Sequence, residues 1–105
     1  MHMTLFQMLA VLRDGPLDAT VALERLSRLA PAREVPSVPS FYRHLRRGTE
    51  EGWIAVRGTT DDEGPGRPAQ SYALTPDGLA ALQDRSRELE AFTRLALETP
   101  EGRGG

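Results

Sequence analysis

The sequence predicts a mainly α fold with a small β-hairpin, ending in a long helix. Three observations carry that expectation. Apolar residues recur at helical spacing in four separate stretches. Two short β-favouring runs flank a loop rich in Gly, Pro and Asp. The chain has 105 residues, 39% apolar and 27% charged, an ordinary globular mixture sized for one core. A domain this small hides only about 60–70% of its unfolded surface, which favours burial against a second copy.

The first helix is expected over Thr4 to Arg13. Leu5, Phe6, Met8, Leu9, Ala10, Val11 and Leu12 cover almost its whole circumference. A helix apolar on all sides must be covered on all sides, so one face is assigned to the core and the other to a second chain. Met1-His2-Met3 is left outside the fold, and Asp14-Gly15-Pro16 stops the helix. Asp18 is the N-cap of a second helix over Ala19 to Leu29. Its stripe is Val21, Ala22, Leu26 and Leu29, broadened by Leu23. Pro31, Pro36 and Pro39 make the next stretch a stiff connection.

Ser37 or Ser40 caps a third helix that runs to about Glu51 and is ended by Gly52. Phe41, Tyr42 and Leu45 form its inward stripe, while Arg43, His44, Arg46 and Arg47 give a basic outer face. Gly48 is an unusual interior residue, about 1 kcal/mol worse than Ala in a helix. Trp53 to Arg57 and Gln70 to Leu74 read as strands, with Gly58 to Pro68 as a projecting loop. Trp53 and Tyr72 are assigned to packing.

Thr75 caps, and Pro76 opens, a last helix that reaches Leu97. Leu79, Leu82, Leu89 and Ala96 recur along it, interrupted by Ser86 and Thr93 and widened by Phe92 and Leu95. At about 1.5 Å per residue, such a helix outruns so small a core. The expected dimer therefore sets Leu82, Leu89, Phe92 and Ala96 against Leu5, Met8, Leu9 and Leu12 of the other copy. Residues 4–75 form the winged unit, 76–98 the dimerisation helix and 99–105 a mobile tail.

Composition removes several functions. Without cysteine there is no disulfide, thiolate metal site or Cys nucleophile. His2 and His44 are too few and too far apart for a zinc site. Glu50-Glu51 and Asp61-Asp62-Glu63 look solvated, and no Ser/His/Asp arrangement occurs, so neither catalysis nor a cofactor is expected. Gly64-Pro65-Gly66 is turn chemistry, since no Gly-Lys-Ser/Thr follows it. The apolar run Met8–Leu12 is far too short for a membrane span, and no basic leader precedes it, so a cytoplasmic location is expected.

The net charge of −2 argues weakly against bulk polyanion binding. All 13 basic residues are Arg, whose planar donors suit phosphate and guanine, so their placement matters more than their sum. Helix, helix, helix, strand, loop, strand, helix is the order of a winged helix-turn-helix, whose third helix enters the major groove. On that plan Arg43, His44, Arg46 and Arg47 face double-stranded DNA, and Ser37 and Ser40 offer hydroxyl or N–H groups to a phosphate. Tyr42 is left open between packing inward and reaching a phosphate. Arg57 and Arg67 serve the wing, whose acidic tip repels phosphate. The competing reading of the basic face is a solvated surface balanced by Glu50 and Glu51.

Three stretches carry a resemblance to a known family: Leu12-Arg13-Asp14-Gly15-Pro16-Leu17; Pro39 to Arg47 with Glu50-Glu51-Gly52-Trp53-Ile54; and Gly66-Arg67-Pro68 with Ser71 to Gly78. They resemble the L-x-x-G-P-L/M, T-L-Y-x-x-L-x-R-L-E-x-x-G-L-I and G-R-P-x-x-Y-Y-x-L-T-x-x-G signatures of PadR-like transcriptional regulators. Asp18 to Ala22 replace the usual H-G-Y-E-I, Gly48 replaces a Leu, and Ala69-Gln70 replace basic residues. The resemblance implies a dimeric repressor on a pseudo-palindromic operator with half-sites about one helical turn apart. It also implies a C-terminal helix packed on the partner's first helix and, for some members, a small hydrophobic effector. The rival function is a winged-helix protein–protein interaction module without sequence-specific DNA binding, favoured by the net acidity, the acidic wing tip and Gly48.

Overall fold

Each α-helix among the described residues starts where a side chain supplies an acceptor for an otherwise orphaned backbone N–H. In the computed structural model, which describes residues 1–59 and 70–99 (backbone only at 58 and 59), α1 is Met3–Val11 and α2 is Ala19–Leu29. His2 Nδ1 accepts from Thr4 N–H at 3.0 Å, and Asp18 Oδ1 from Val21 N–H at 2.8 Å. A single 3₁₀ turn, Ala32–Glu34, lies within the proline-rich connection. Helix α3 is Val38–Glu50 and α4 is Pro76–Leu97. Ser37 Oγ accepts from Ser40 N–H at 3.2 Å, and Thr75 Oγ1 from Gly78 N–H at 2.9 Å. The choice between Ser37 and Ser40 thus falls to Ser37, with Pro39 in the tolerant first turn. Contrary to the expectation that Met1-His2-Met3 lies outside the fold, His2 is the cap and Met3 the first helical residue.

The sheet has a strand that the sequence pattern did not disclose. Strand β1 (Leu17–Asp18) pairs with β3 (Gln70–Leu74), which pairs with β2 (Ile54–Thr59), all antiparallel in the order β1-β3-β2. A two-residue strand carries no alternation to read, and its partner lies more than fifty residues away in sequence (Leu17 opposite Tyr72). Strand β2 runs two residues past the expected Arg57, with a register shift between Arg57 and Thr59. The wing tip and Arg67 lie outside the described residues, as does the tail beyond Thr99.

Helix α1 is the centre of the molecule, packed on α2, α3 and α4. Leu5, Met8, Leu9 and Leu12 are therefore consumed by the chain's own core, together with Ala19, Ala22, Leu26, Phe41, Leu45, Ile54 and Leu82. This corrects the expected dimer surface: Leu5, Met8, Leu9, Leu12 and Leu82 are at most 5% exposed within one chain and have no area left to offer. Tyr42 and Leu29 also leave their expected inward stripes, at 47% and 79% exposure.

Glycines let the elements close. At Gly48, a Cβ would lie 2.6 Å from Ile54 Cδ1 and 3.1 Å from Leu5 Cδ1, so those side-chain ends would have to shift for α3 to keep its approach to β2 and α1. At Gly78 a Cβ would run into the carbonyl of Trp53. Gly52 has φ +81°, the left-handed residue that stops α3.

Candidate nucleic-acid interface

Successive residues step about 100° around a helix, and α3 sorts its side chains accordingly. Phe41, Leu45 and Gly48 are buried and anchor it. Tyr42, Arg46 and Thr49 lie on the flank toward the hairpin, where with Leu45, Val56 and Tyr72 they line a groove of about 290 Å³. Arg43, Arg47 and Glu50 point outward and are exposed. His44 occupies the opposite flank, against the start of α1.

The expected DNA-facing residues are not equivalent in this setting. Arg47 is held by Glu51 at 2.9 Å, while Arg43 and Arg46 enter no ion pair among the described residues. Ser37 is exposed but its hydroxyl already serves the cap, and Ser40 N–H is the donor to it. Alternation along β2 puts Val56 and Arg57 on opposite sheet faces. Val56 joins the α3 groove, whereas Arg57 lines an open cleft of about 520 Å³ with Leu12, Arg13, Leu74 and Leu79. Arg57 is thus not brought together with the α3 arginines.

Tyr72 is the residue that sequence reasoning assigned only to packing. It is half-buried, pairs across the ladder with Val56, and donates its hydroxyl to Gln70 Oε1 at 3.2 Å. Burial, and then the nearby Tyr42, push its hydroxyl above the usual tyrosine range, so it stays a protonated donor at neutral pH. The signal lay in the parity of the hairpin, which becomes usable only once the register is known.

The two histidines are adjacent in space, contrary to the expectation that they are too far apart: the His2 and His44 ring centroids are 4.3 Å apart. Among the described residues no three His, Cys, Asp or Glu side chains gather as a metal site, and no helix is long and apolar enough to cross a membrane.

A second surface lies at the far end of α4. Phe92, Leu95 and Leu97 are 71%, 66% and 79% exposed, while Leu89 is partly covered and Ala96 exposed. On the outer side of α1 and α2, Phe6, Gln7, Ala10, Val11, Leu26 and Leu29 line a groove of about 90 Å³.

No family model matches the sequence, and neither does any curated protein. Solved structures do. A PadR family transcription regulator from Clostridium difficile superposes with a TM-score of 0.78 at 14% identity, over 90% of this chain and 94% of that one. A transcriptional regulator from Clostridium thermocellum gives 0.75 at 15% identity, over 89% and 85%. Bacillus subtilis PadR in complex with operator DNA gives 0.68 at 22% identity, over 92% of this chain and 61% of that one. At these identities the likeness is one of fold. The chain has the PadR-like winged-helix fold, mainly helical with a small three-stranded antiparallel sheet.

Proposed function

We propose that this chain is a dimeric DNA-binding transcriptional regulator, acting as a repressor, whose α3 enters the major groove. The observation that carries the reading is the exposed face of α3, where Arg43 and Arg46 enter no ion pair among the described residues and Arg46 lines the Tyr42–Tyr72 groove. The fold adds support, since one structure that shares it is a complex with operator DNA. In this reading Arg43 and Arg46 reach base edges and phosphates, and Tyr42 and Tyr72 present hydroxyls to the backbone where helix and hairpin meet. His44 lies at the edge of this face. Arg47 contributes on release from Glu51, and Ser37 and Ser40 mark the α3 N-terminus where a phosphate is favoured. Arg67 completes the set from the wing.

Dimerisation supplies the second recognition helix and hence the pseudo-palindromic operator. With the inner face of α1 already used, the proposed contact sets Leu89, Phe92, Leu95 and Ala96 against the partner's outer groove of Phe6, Ala10, Val11 and Leu29. The cleft beside Arg13 and Arg57 is the candidate lodging for a small hydrophobic effector. A cytoplasmic location follows from the proposed role.

The test is retention on mixed genomic duplex across a salt series, followed by selection of bound fragments. Binding that falls steeply with salt and enriches a two-fold site supports the proposal. Arg46→Ala should keep the fold and flatten the log–log salt slope by about 0.9, the loss of one phosphate contact. No retention at low salt would instead favour the protein-interaction module.

A further inference from the structure

We propose that His2 and His44 form a proton-labile clasp that fastens the first turn of α1 to the recognition helix. The two rings lie against each other, centroids 4.3 Å apart and tilted by 34°. His2 has a second task, since its Nδ1 accepts the Thr4 N–H at 3.0 Å and so caps α1. Accepting that bond uses the Nδ1 lone pair, which a proton on that nitrogen would occupy. A proton on Nδ1 turns the acceptor into a donor and breaks the cap. It also places a cation at a helix N-terminus, where the dipole opposes it, and against the neighbouring imidazole.

The surroundings give no relief. His2 caps α1, and that helix contains no acidic residue. Helix α3 contributes Arg43 beside His44, and Arg47 one turn on, held by Glu51 at 2.9 Å. Strand β2 packs on α3 through the uncharged Ile54 and Val56, the latter on the flank away from His44. Burial holds His44 below its ordinary value of 6.5, and His2 and then Arg43 add to the effect. The folded chain therefore binds fewer protons at His44 than the unfolded chain does. The clasp's stabilisation is complete above pH 6.5 and is lost as pH falls through 6.5 toward the folded value. Acid thus loosens α1 from α3 and adds a cation beside Arg43. The consequence for DNA rests on the proposed function, whereas the clasp itself does not.

Histidine Cε1–H titration by NMR and thermal melts of the whole chain decide the matter. His2→Asn keeps an oxygen acceptor at the cap while removing the ring, and His44→Gln removes the other partner. In the parent chain the His44 midpoint should lie below 6.5, and His2→Asn should raise it toward that value. Melting should drop between about pH 7.5 and about pH 5.5, above the carboxylate range, and drop less in either variant. A His44 midpoint unmoved by His2→Asn, or equal acid losses in all three proteins, overturns the clasp. On a mixed-sequence duplex, acid should strengthen binding by the parent chain and fail to do so for His44→Gln. Absence of binding at every pH overturns the DNA reading alone, because titration and melting judge the clasp without DNA.

Discussion

Gly48 is costly to helix propensity and necessary to packing. Read from the sequence, it weakens α3 and favours the rival, non-DNA function. Its surroundings give the glycine a packing reason instead: the position is buried, and a Cβ would sit 2.6 Å from Ile54 Cδ1 and 3.1 Å from Leu5 Cδ1. The gain of about 1 kcal/mol in propensity from Ala competes with overpacking worth about 1–3 kcal/mol in a dense core. Ile54 is 2% exposed and has little room to retreat, so overpacking wins. Gly48→Ala should lower the unfolding free energy by about 1 kcal/mol in denaturant titration. Combined with Ile54→Val, which removes the colliding methyl, the same change should become neutral or stabilising relative to Ile54→Val alone. If the penalty is the same in both backgrounds, the close approach is not its cause.

At the scale of elements, one residue joins three of them. Thr75 Oγ1 accepts the Gly78 N–H at 2.9 Å, capping α4, and donates to Gly52 O at 2.6 Å, where α3 ends. Thr75 N–H donates to Trp53 O at 3.0 Å, next to the start of β2. Losing a cap costs about 1 kcal/mol and losing a further hydrogen bond about as much again. Thr75→Val should therefore lose about 2 kcal/mol of unfolding free energy while Thr75→Ser recovers most of it. Equal losses in both variants would point to packing of the methyl group. The cap itself was legible in the sequence, as were Asp18, the ends of α2 and strand β3, because their chemistry is local. What escaped depends on distant partners. Strand β1 exists only through Tyr72 and Ser71, the His2–His44 contact joins residues forty-two apart, and the facing of Arg57 needs the hairpin register. Helix α1 escaped for a related reason. Periodicity says that it is apolar all round, but whether its cover comes from the same chain or another is a property of tertiary contacts.

The molecule extends 67 × 29 × 21 Å, and the 22 residues of α4 make about 33 Å of helix. Its first turns are fixed by Leu79 and Leu82 against the core, but every residue from Glu90 to Thr99 is exposed. Three ion pairs, Arg85–Glu88, Asp84–Arg87 and Glu90–Arg94, line this helix. Each contributes only about 0.2–0.5 kcal/mol, which supports helicity but gives no reason for Phe92, Leu95 and Leu97 to stand in water. In the proposed dimer a second copy would give one, because its outer α1–α2 groove is largely apolar and leaves Ala10 and Leu29 exposed. In a two-fold dimer each residue counts twice. Burying Phe92 is worth about 1.5–3 kcal/mol per copy, so Phe92→Asp should weaken association by a hundredfold or more. Sedimentation equilibrium should find the parent chain dimeric and Phe92→Asp monomeric, with helix content retained. The parent's melting temperature should rise with protein concentration and the variant's should not. DNA affinity should fall together with dimerisation, since a single recognition helix reads only half of the operator. A parent chain that stays monomeric at high concentration would remove the two-fold pair of α3 helices, and with it the proposed mode of operator recognition.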